Sequence, residues 1–454
     1  MKVLLIVTMV TALILPNWSF GQVINLGTAQ SFELFTSVGA ISNTGISQVT
    51  GNVGSNSGSS TNFGNVNGVM HDGDGASGLC AADLTIAYNQ LAAAIPTFFP
   101  APLLGNGQVL NHGVYSISGP TVLNLGLTLD AQNDPNAVFI IQISGSFSAN
   151  AYAHVILANG ALACNVYWKI EGMVSLATGV SMKGTIVANN AAIDMGSGDT
   201  LEGRALSTAG AITINGVLAY TPIGCGSPHL IGPIAPVLGT AACYEIFSTI
   251  GPVTNAGVTH VIGDVGSDNG LTTGFNPLFV VGAIHGTPDG STAQCGVDLL
   301  VAYNYLNVLP VDIELLYPVQ FGNGLVLTPH TYRMNAACTL TDTVFMNAQG
   351  DPNAVFVIQI NGALTSGVYS TVWLINGAQA KNIYWKVEGL VSINNYSLFN
   401  GTLISNNGAI NLLQGATING RTLTTNGAIN VNAVTANMTP GCGAALPPAI
   451  TMQP

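Results

Sequence analysis

Short apolar–polar alternations, broken every few residues by Gly or Asn-Gly, run through most of this chain. In GTLISNNGAINLLQGATINGRTLTTNGAINVN (401–432) the apolar residues Leu403, Ile410, Ile418, Leu423, Ile429 and Val431 sit beside polar neighbours. Period-two alternation with frequent corners predicts short strands. Strands this short, turned this regularly, fit a β-solenoid whose stacked coils bury one inner column. Two stretches break the pattern. AADLTIAYNQLAAAI (81–95) and VDLLVAYNYLNVL (297–309) contain no Gly or Pro. Their apolar residues (Leu84, Ala87, Tyr88, Leu91; Leu299, Ala302, Tyr303, Leu306) recur at helical spacing. Each predicts one amphipathic helix lying along the solenoid wall, with the tyrosines as packing residues.

The pattern occurs twice. DPNAVFIIQI begins at Asp134 and DPNAVFVIQI at Asp351. SFELFTSVGAISNTGISQVTGNVGS likewise aligns with CYEIFSTIGPVTNAGVTHVIGDVGS, and NVYWKIEGMVSL with NIYWKVEGLVSI. This places one domain at 23–225 and a second at 240–442. The Gly/Pro-rich 226–239 joins them, and 443–454 forms a tail. Asp-Pro-Asn reads as a turn, and the apolar run after it as a buried inner strand.

Only 6% of the 454 residues are charged, against about 25% in typical domains. Eight basic residues, scattered, exclude a nucleic-acid partner, because phosphate binding needs clustered Lys and Arg. Residues 1–21 read as a signal peptide: Lys2, the apolar run VLLIVTMVTALIL, then SFG before Gln22. That run is shorter than the ~20 residues of a spanning helix. The expectation is a secreted, extracellular monomer without a membrane partner. Cys80 aligns with Cys295 and Cys225 with Cys442, which suggests one disulfide per copy, Cys80–Cys225 and Cys295–Cys442.

Catalysis finds little material. HDGDG (His71, Asp72, Asp74) resembles a metal loop, but its counterpart HGTPDG lacks a match for Asp72. Glu171 and Glu388 follow YWK and read as ion pairs with Lys169 and Lys386. Arg204 and Arg421 read as donors to corner carbonyls. No GxSxG elbow is present. The reading is of no enzyme, no cofactor and no metal. What is abundant is uncharged hydroxyl and amide residues at positions alternating with the inner column. In the second copy these are Thr402, Asn411, Thr417, Asn419, Thr422, Thr424, Asn430 and Asn432; in the first, Thr185, Thr200, Ser207, Thr213 and Asn215, with Asp194 and Glu202 among them.

With these residues in place the chain resembles two tandem domains of the bacterial and fungal ice-binding protein family. The resemblance is carried by TGNVGS and IGDVGS, ADLTIAYNQL and VDLLVAYNYL, LDAQNDPNAVFIIQI and MNAQGDPNAVFVIQI, NVYWKIEG and NIYWKVEG, and GRALSTAGAIT and GRTLTTNGAIN. It implies a mainly β fold, two discontinuous β-solenoids each with a long α-helix alongside. It also implies an ice crystal surface as partner, bound through one flat face, with thermal hysteresis and inhibition of recrystallisation. An adhesion or glycan-binding module on the same scaffold is the alternative. Because charged groups hold their hydration shells tightly, Asp194 and Glu202 make the second copy the stronger expected binder.

Overall fold

The computed structural model describes residues 24–222 and 232–442. The segment read as a signal peptide, Cys225 and the tail lie outside the described residues. Each half is a three-walled stack of short parallel strands around one apolar column. An 8-stranded sheet forms one wall of each half; a 13-stranded sheet in the first and a 15-stranded sheet in the second fold over a corner to form the other two. The strand Ser181–Ala188 spans that corner. Its first residue pairs with His154, and Thr185 to Ala188 pair with Tyr167 to Ile170. We call the 8-stranded wall B, the wall beneath the helix A, and the third C.

Chain order is interrupted in both halves. Ile41–Thr44 pairs with Ser60–Thr61 on one side and with Ile212–Asn215 on the other. The chain therefore starts at one end of the solenoid, crosses to the far end by a helix, and coils back to its start. The helices are α1 (Gly75–Ala93) and α2 (Gly290–Val308). Both begin earlier than their apolar periodicity indicates. Asp74 and Asp289 are N-caps: Ser77 N–H donates to Asp74 at 2.8 Å and Thr292 N–H to Asp289 at 3.0 Å. The hydroxyls of Ser77 and Thr292 in turn accept from the cap N–H groups, at 2.9 and 2.8 Å, closing a capping box. His71 and His285 approach the same carboxylates. Asp72 accepts from the Ser55 and Ser60 N–H groups. HDGDG thus serves to start the helix.

The inner column of the first half includes Leu34, Ile41, Ile141, Trp168, Ile186 and Ile212; that of the second includes Ile246, Ile358, Trp385, Leu403, Ile418 and Ile429. A second apolar layer lies between wall A and each helix, with Phe35, Cys80, Leu84, Ile140 and Leu206 in the first half. Cys295, Leu299, Ile404 and Leu423 are their counterparts in the second.

The disulfide pattern differs from the sequence expectation. Cys243 is bonded to Cys442, and Cys164 is disulfide-bonded. Cys80 and Cys295 are free thiols buried on the inner faces of their helices. Neither Cys80–Cys225 nor Cys295–Cys442 is therefore a bond of this fold. A small helix residue facing the wall is a packing position, and burial pushes both thiols far up from their ordinary value.

Candidate functional site

Wall B presents an uncovered surface in both halves. In the second, outward side chains align in strict parallel register. Thr273 pairs with Thr254, Thr254 with Asn430, Asn430 with Asn411, Asn411 with Ser392, Ser392 with Thr365, and Thr365 with Thr339. No charge interrupts this row. Adjacent coils sit about 4.8 Å apart. Side chains lock neighbouring rungs: Thr254 Oγ1 donates to Asn430 at 3.1 Å, and Asn430 Nδ2 to Asn411 at 2.9 Å. A parallel row of small residues runs beside it. Backbone bonds from each rung to the next fix Pro252, Ala428, Ala409, Leu390, Ala363 and Ala337 in one column. Leu390 is its large exception. Asn432 lies on the same wall, paired with Ala256.

The first half repeats the register with different side chains. Its row reads Thr61, Ser42, Thr213, Asp194, Ser175, Ser148, Val122 and Leu103. The carboxylate of Asp194 sits mid-row and accepts from the Thr213 hydroxyl. Asn215 pairs with Thr44 on this wall. Met173 occupies the place of Leu390 in the neighbouring column.

Of the residues the sequence nominates, wall B therefore gathers Thr213, Asn215, Asn411, Asn430 and Asn432. Thr200, Thr417 and Asn419 lie on wall C instead. There Asn437 donates to Asn419 and Asn419 to Asn400, both at 3.1 Å. Wall C of the first half carries the Lys183–Glu202 ion pair at 2.9 Å. The other nominees present nothing to a surface. Thr185, Ser207, Thr402, Thr422 and Thr424 are buried, none more than 1% exposed. Ser207 and Thr424 cap turn carbonyls at a corner, donating to Ala191 O at 2.8 Å and Gly408 O at 3.0 Å. Thr422 pairs with Leu403 on the inner side of wall A. Thr185 and Thr402 point outward from wall A, where the cover buries them. Sequence reasoning missed Thr273, Thr254, Ser392, Thr365 and Thr339. Their signal was available, since each follows the same strand parity as Asn411, but they fall outside the window in which the alternation was read.

The remaining polar clusters are internal braces. Lys169 pairs with Glu171, and Lys386 with Glu388. The helix tyrosines do more than pack. Tyr88 donates to Glu171 at 2.6 Å and Tyr303 donates to Glu388, while Asn189 and Asn406 reach the same carboxylates. Burial opposes the charge of both glutamates, but these donors outweigh it and hold the carboxyls below their ordinary value. Arg204 donates to Gln30 O at 2.8 Å, and Arg421 to Ala242 O at 3.0 Å and Thr439 O at 2.7 Å. Beside them Glu33 and Glu245 are fully buried at strand bulges. Burial pushes their carboxyls well up, partly offset by the guanidinium.

Fold and surface together define a β-solenoid protein with one uncovered, regularly patterned wall in each half. A family model described as Ice-binding-like matches residues 35–218 and 248–437, and the chain belongs to that family. It is 57% identical to a crystallised ice binding protein from an Antarctic Flavobacteriaceae bacterium. That likeness has a TM-score of 0.92 and covers 93% of this chain and 100% of the other. An ice-binding protein of Nostoc sp. is 36% identical over 194 residues, 42% of this chain and 71% of that one. Ice-binding protein 1 of Shewanella frigidimarina is 31% identical over 236 residues; the match covers 45% of this chain and 26% of that relative's length.

Proposed function

We propose that the exported, monomeric protein adsorbs to ice crystals through wall B, chiefly that of the second domain, and thereby produces thermal hysteresis and inhibits recrystallisation. The observation that carries the reading is the charge-free row from Thr273 to Thr339 beside its column of small residues. Such a wall offers hydroxyls, amides and methyls at the coil spacing, near oxygen spacings in ice. The side chains are short, β-branched or bonded to one another, so little rotamer entropy is lost on contact. Each contact is weak, and a broad rigid surface sums many of them. No rung need shed the hydration shell of an ion.

The test is incorporation into a slowly grown ice hemisphere, with serum albumin as the excluded control. Enrichment of the intact chain, lost on Asn411→Tyr, supports the reading; exclusion of the intact chain from the ice ends it. The rival glycan-binding reading draws on Tyr369 and Tyr396, exposed and stacked at 5.1 Å on a neighbouring corner. Retention on immobilised neutral polysaccharide, lost on Tyr369→Ala and untouched by Asn411→Tyr, would favour it.

A further inference from the structure

The two solenoids meet end to end, and the contacts fix more than proximity. The end of the first domain that carries Ser60–Thr61 and Asn67 lies against the end of the second that carries Phe321–Gly322 and Val326–Leu327. Asn65 acts as a strand edge toward Tyr317. Its amide donates to Tyr317 O and accepts from Tyr317 N–H, both at 3.0 Å. Asn67 donates to Thr328 Oγ1 at 3.0 Å and accepts from the Tyr332 hydroxyl at 2.7 Å. Gln48 donates to Asn323 O at 2.7 Å. Asn65, Asn67, Thr328 and Tyr332 are all buried. Every one of these bonds is between uncharged groups. The two bonds of Asn67, to Thr328 and from Tyr332, are wholly buried and costly to break, because the partners would be left without water.

The rotational phase follows from which walls abut. Gln48–Thr50, on wall C of the first domain, packs against Val326–Leu327, on wall C of the second. The adjoining notch is lined by wall C residues of both, including Tyr220 and Ile375. A larger notch of about 580 Å³ is lined by the B–C corners of both, Asn43 and Asn62 facing Gln320 and Asn323. With corner on corner and wall C on wall C, wall B of one domain continues wall B of the other. Two 8-stranded sheets in line span on the order of 70–80 Å.

We infer that the junction is a rigid splice which makes the two B walls one binding surface, with Asn65, Asn67 and Tyr332 as positioning residues that touch no crystal themselves. This rests on the ice-binding reading above and deepens it. A splice converts the weaker wall's contact into an intramolecular event, at high effective concentration and without a search over orientations. A flexible tether would leave the stronger wall to act alone.

The experiment uses the full chain carrying Asn65→Ala and Asn67→Ala, with Tyr332→Phe as a milder second variant. Circular dichroism establishes that each is folded, and small-angle X-ray scattering reads the spread of end-to-end dimensions. The expected result is a broadened distribution and a tenfold or greater rise in the concentration that half-inhibits ice recrystallisation. A merely structural role would not predict the second readout. Thr213→Tyr should weaken the intact chain but add almost nothing to the Asn65→Ala/Asn67→Ala chain, whose first wall is already uncoupled. Unchanged inhibition in a variant whose domains have separated overturns the splice. Domains that stay locked overturn the assignment to these residues. An intact chain that does not inhibit recrystallisation at all instead ends the reading on which the splice rests.

Discussion

The two B walls share a backbone and differ in their rungs. Asn411 in the second domain occupies the place of Asp194 in the first: each pairs forward with the aligned Asn430 or Thr213 and backward with Ser392 or Ser175. At this rung an amide is exchanged for a carboxylate. Both accept from the neighbouring rung, Asn411 from the Asn430 amide and Asp194 from the Thr213 hydroxyl, but the amide is uncharged and keeps donors of its own. The first row also carries Val122 where the second keeps Thr339, and runs on to Leu103. A solenoid register is thus a scaffold on which a wall can lose its surface chemistry without losing its fold. The strength of a domain has to be read rung by rung.

The largest expected effect comes from blocking the wall proposed as the stronger, that of the second domain. Asn411→Tyr plants a ring in the middle of the second row and should remove most of the thermal hysteresis. Thr213→Tyr, on the corresponding wall, should remove a smaller part. Nanolitre osmometry of the two full-length variants decides the matter, and equal losses would erase the distinction between the domains. Thr213 is exposed and Asn411 half-buried, and both side chains face out of wall B, so the melting temperatures should stay close to that of the parent.

Next in size is a test of independence between the halves. The Cys243–Cys442 bond joins the start of the second solenoid to its end across a sequence separation of 199. Closing a loop of this length is worth roughly 2–5 kcal/mol. Cys243→Ser should therefore lower the melting of the second domain and leave that of the first in place, as two separating transitions in calorimetry. Cys295→Ala should remove no cross-link. Its cost is only that of repacking beneath α2.

The duplication, the stacked coils and a helix in each half were legible because each repeats a short physical signal along the chain. The helix starts were less so. Gly75, Gly78 and Gly290 dilute the periodicity, and the capping Asp, weighed with its neighbours as a metal loop and set aside, goes unrecognised as a cap. The largest error lies in wall A. There the alternation Arg421-Thr422-Leu423-Thr424 suggests Leu inward and Thr outward, yet the structure has the reverse. A helix covers the outer side, so Leu423 is buried among α2 residues while Thr424 satisfies a corner carbonyl inside. Alternation tells inside from outside only where one side meets water. On wall B, which nothing covers, the same rule placed Asn411, Asn430 and Thr213 on the surface. The disulfides failed for a related reason. Alignment of the copies identifies equivalent cysteines, but equivalence cannot tell a packing thiol from a cross-link.

Exchanging the charge is a subtler probe than blocking the wall. Asp194→Asn removes the carboxylate from the first row, and Asn411→Asp installs one in the second. The first should raise activity modestly; the second should lower it by more, because it interrupts the stronger row. Both changes preserve volume and register, so a shift in thermal hysteresis reports on hydration of the rung rather than on shape. If neither moves the activity, the difference between the domains lies in the apolar ends of the first row instead.

The smallest effect concerns a feature the halves share, and it should fail to distinguish them. Asp74 is held below its ordinary value by the Ser77 N–H and then by His71; Asp289 by His285 and then by the Thr292 N–H. A carboxyl depressed in the folded state contributes stability above its unfolded value of about 3.9, lost as the pH falls through the folded value. Asp74→Ala and Asp289→Ala should each lower the melting temperature at neutral pH by roughly 2–4 °C. That deficit should start to narrow below about pH 3.9 and close only below the depressed folded value, where the parent caps are themselves protonated. Thermal scans at pH 7 and in steps down the acid range test both points. Matching deficits confine the inequality of the domains to wall B. A deficit in only one of them would mean that the inequality reaches into the fold itself, and that the weaker wall is weaker partly because its scaffold is.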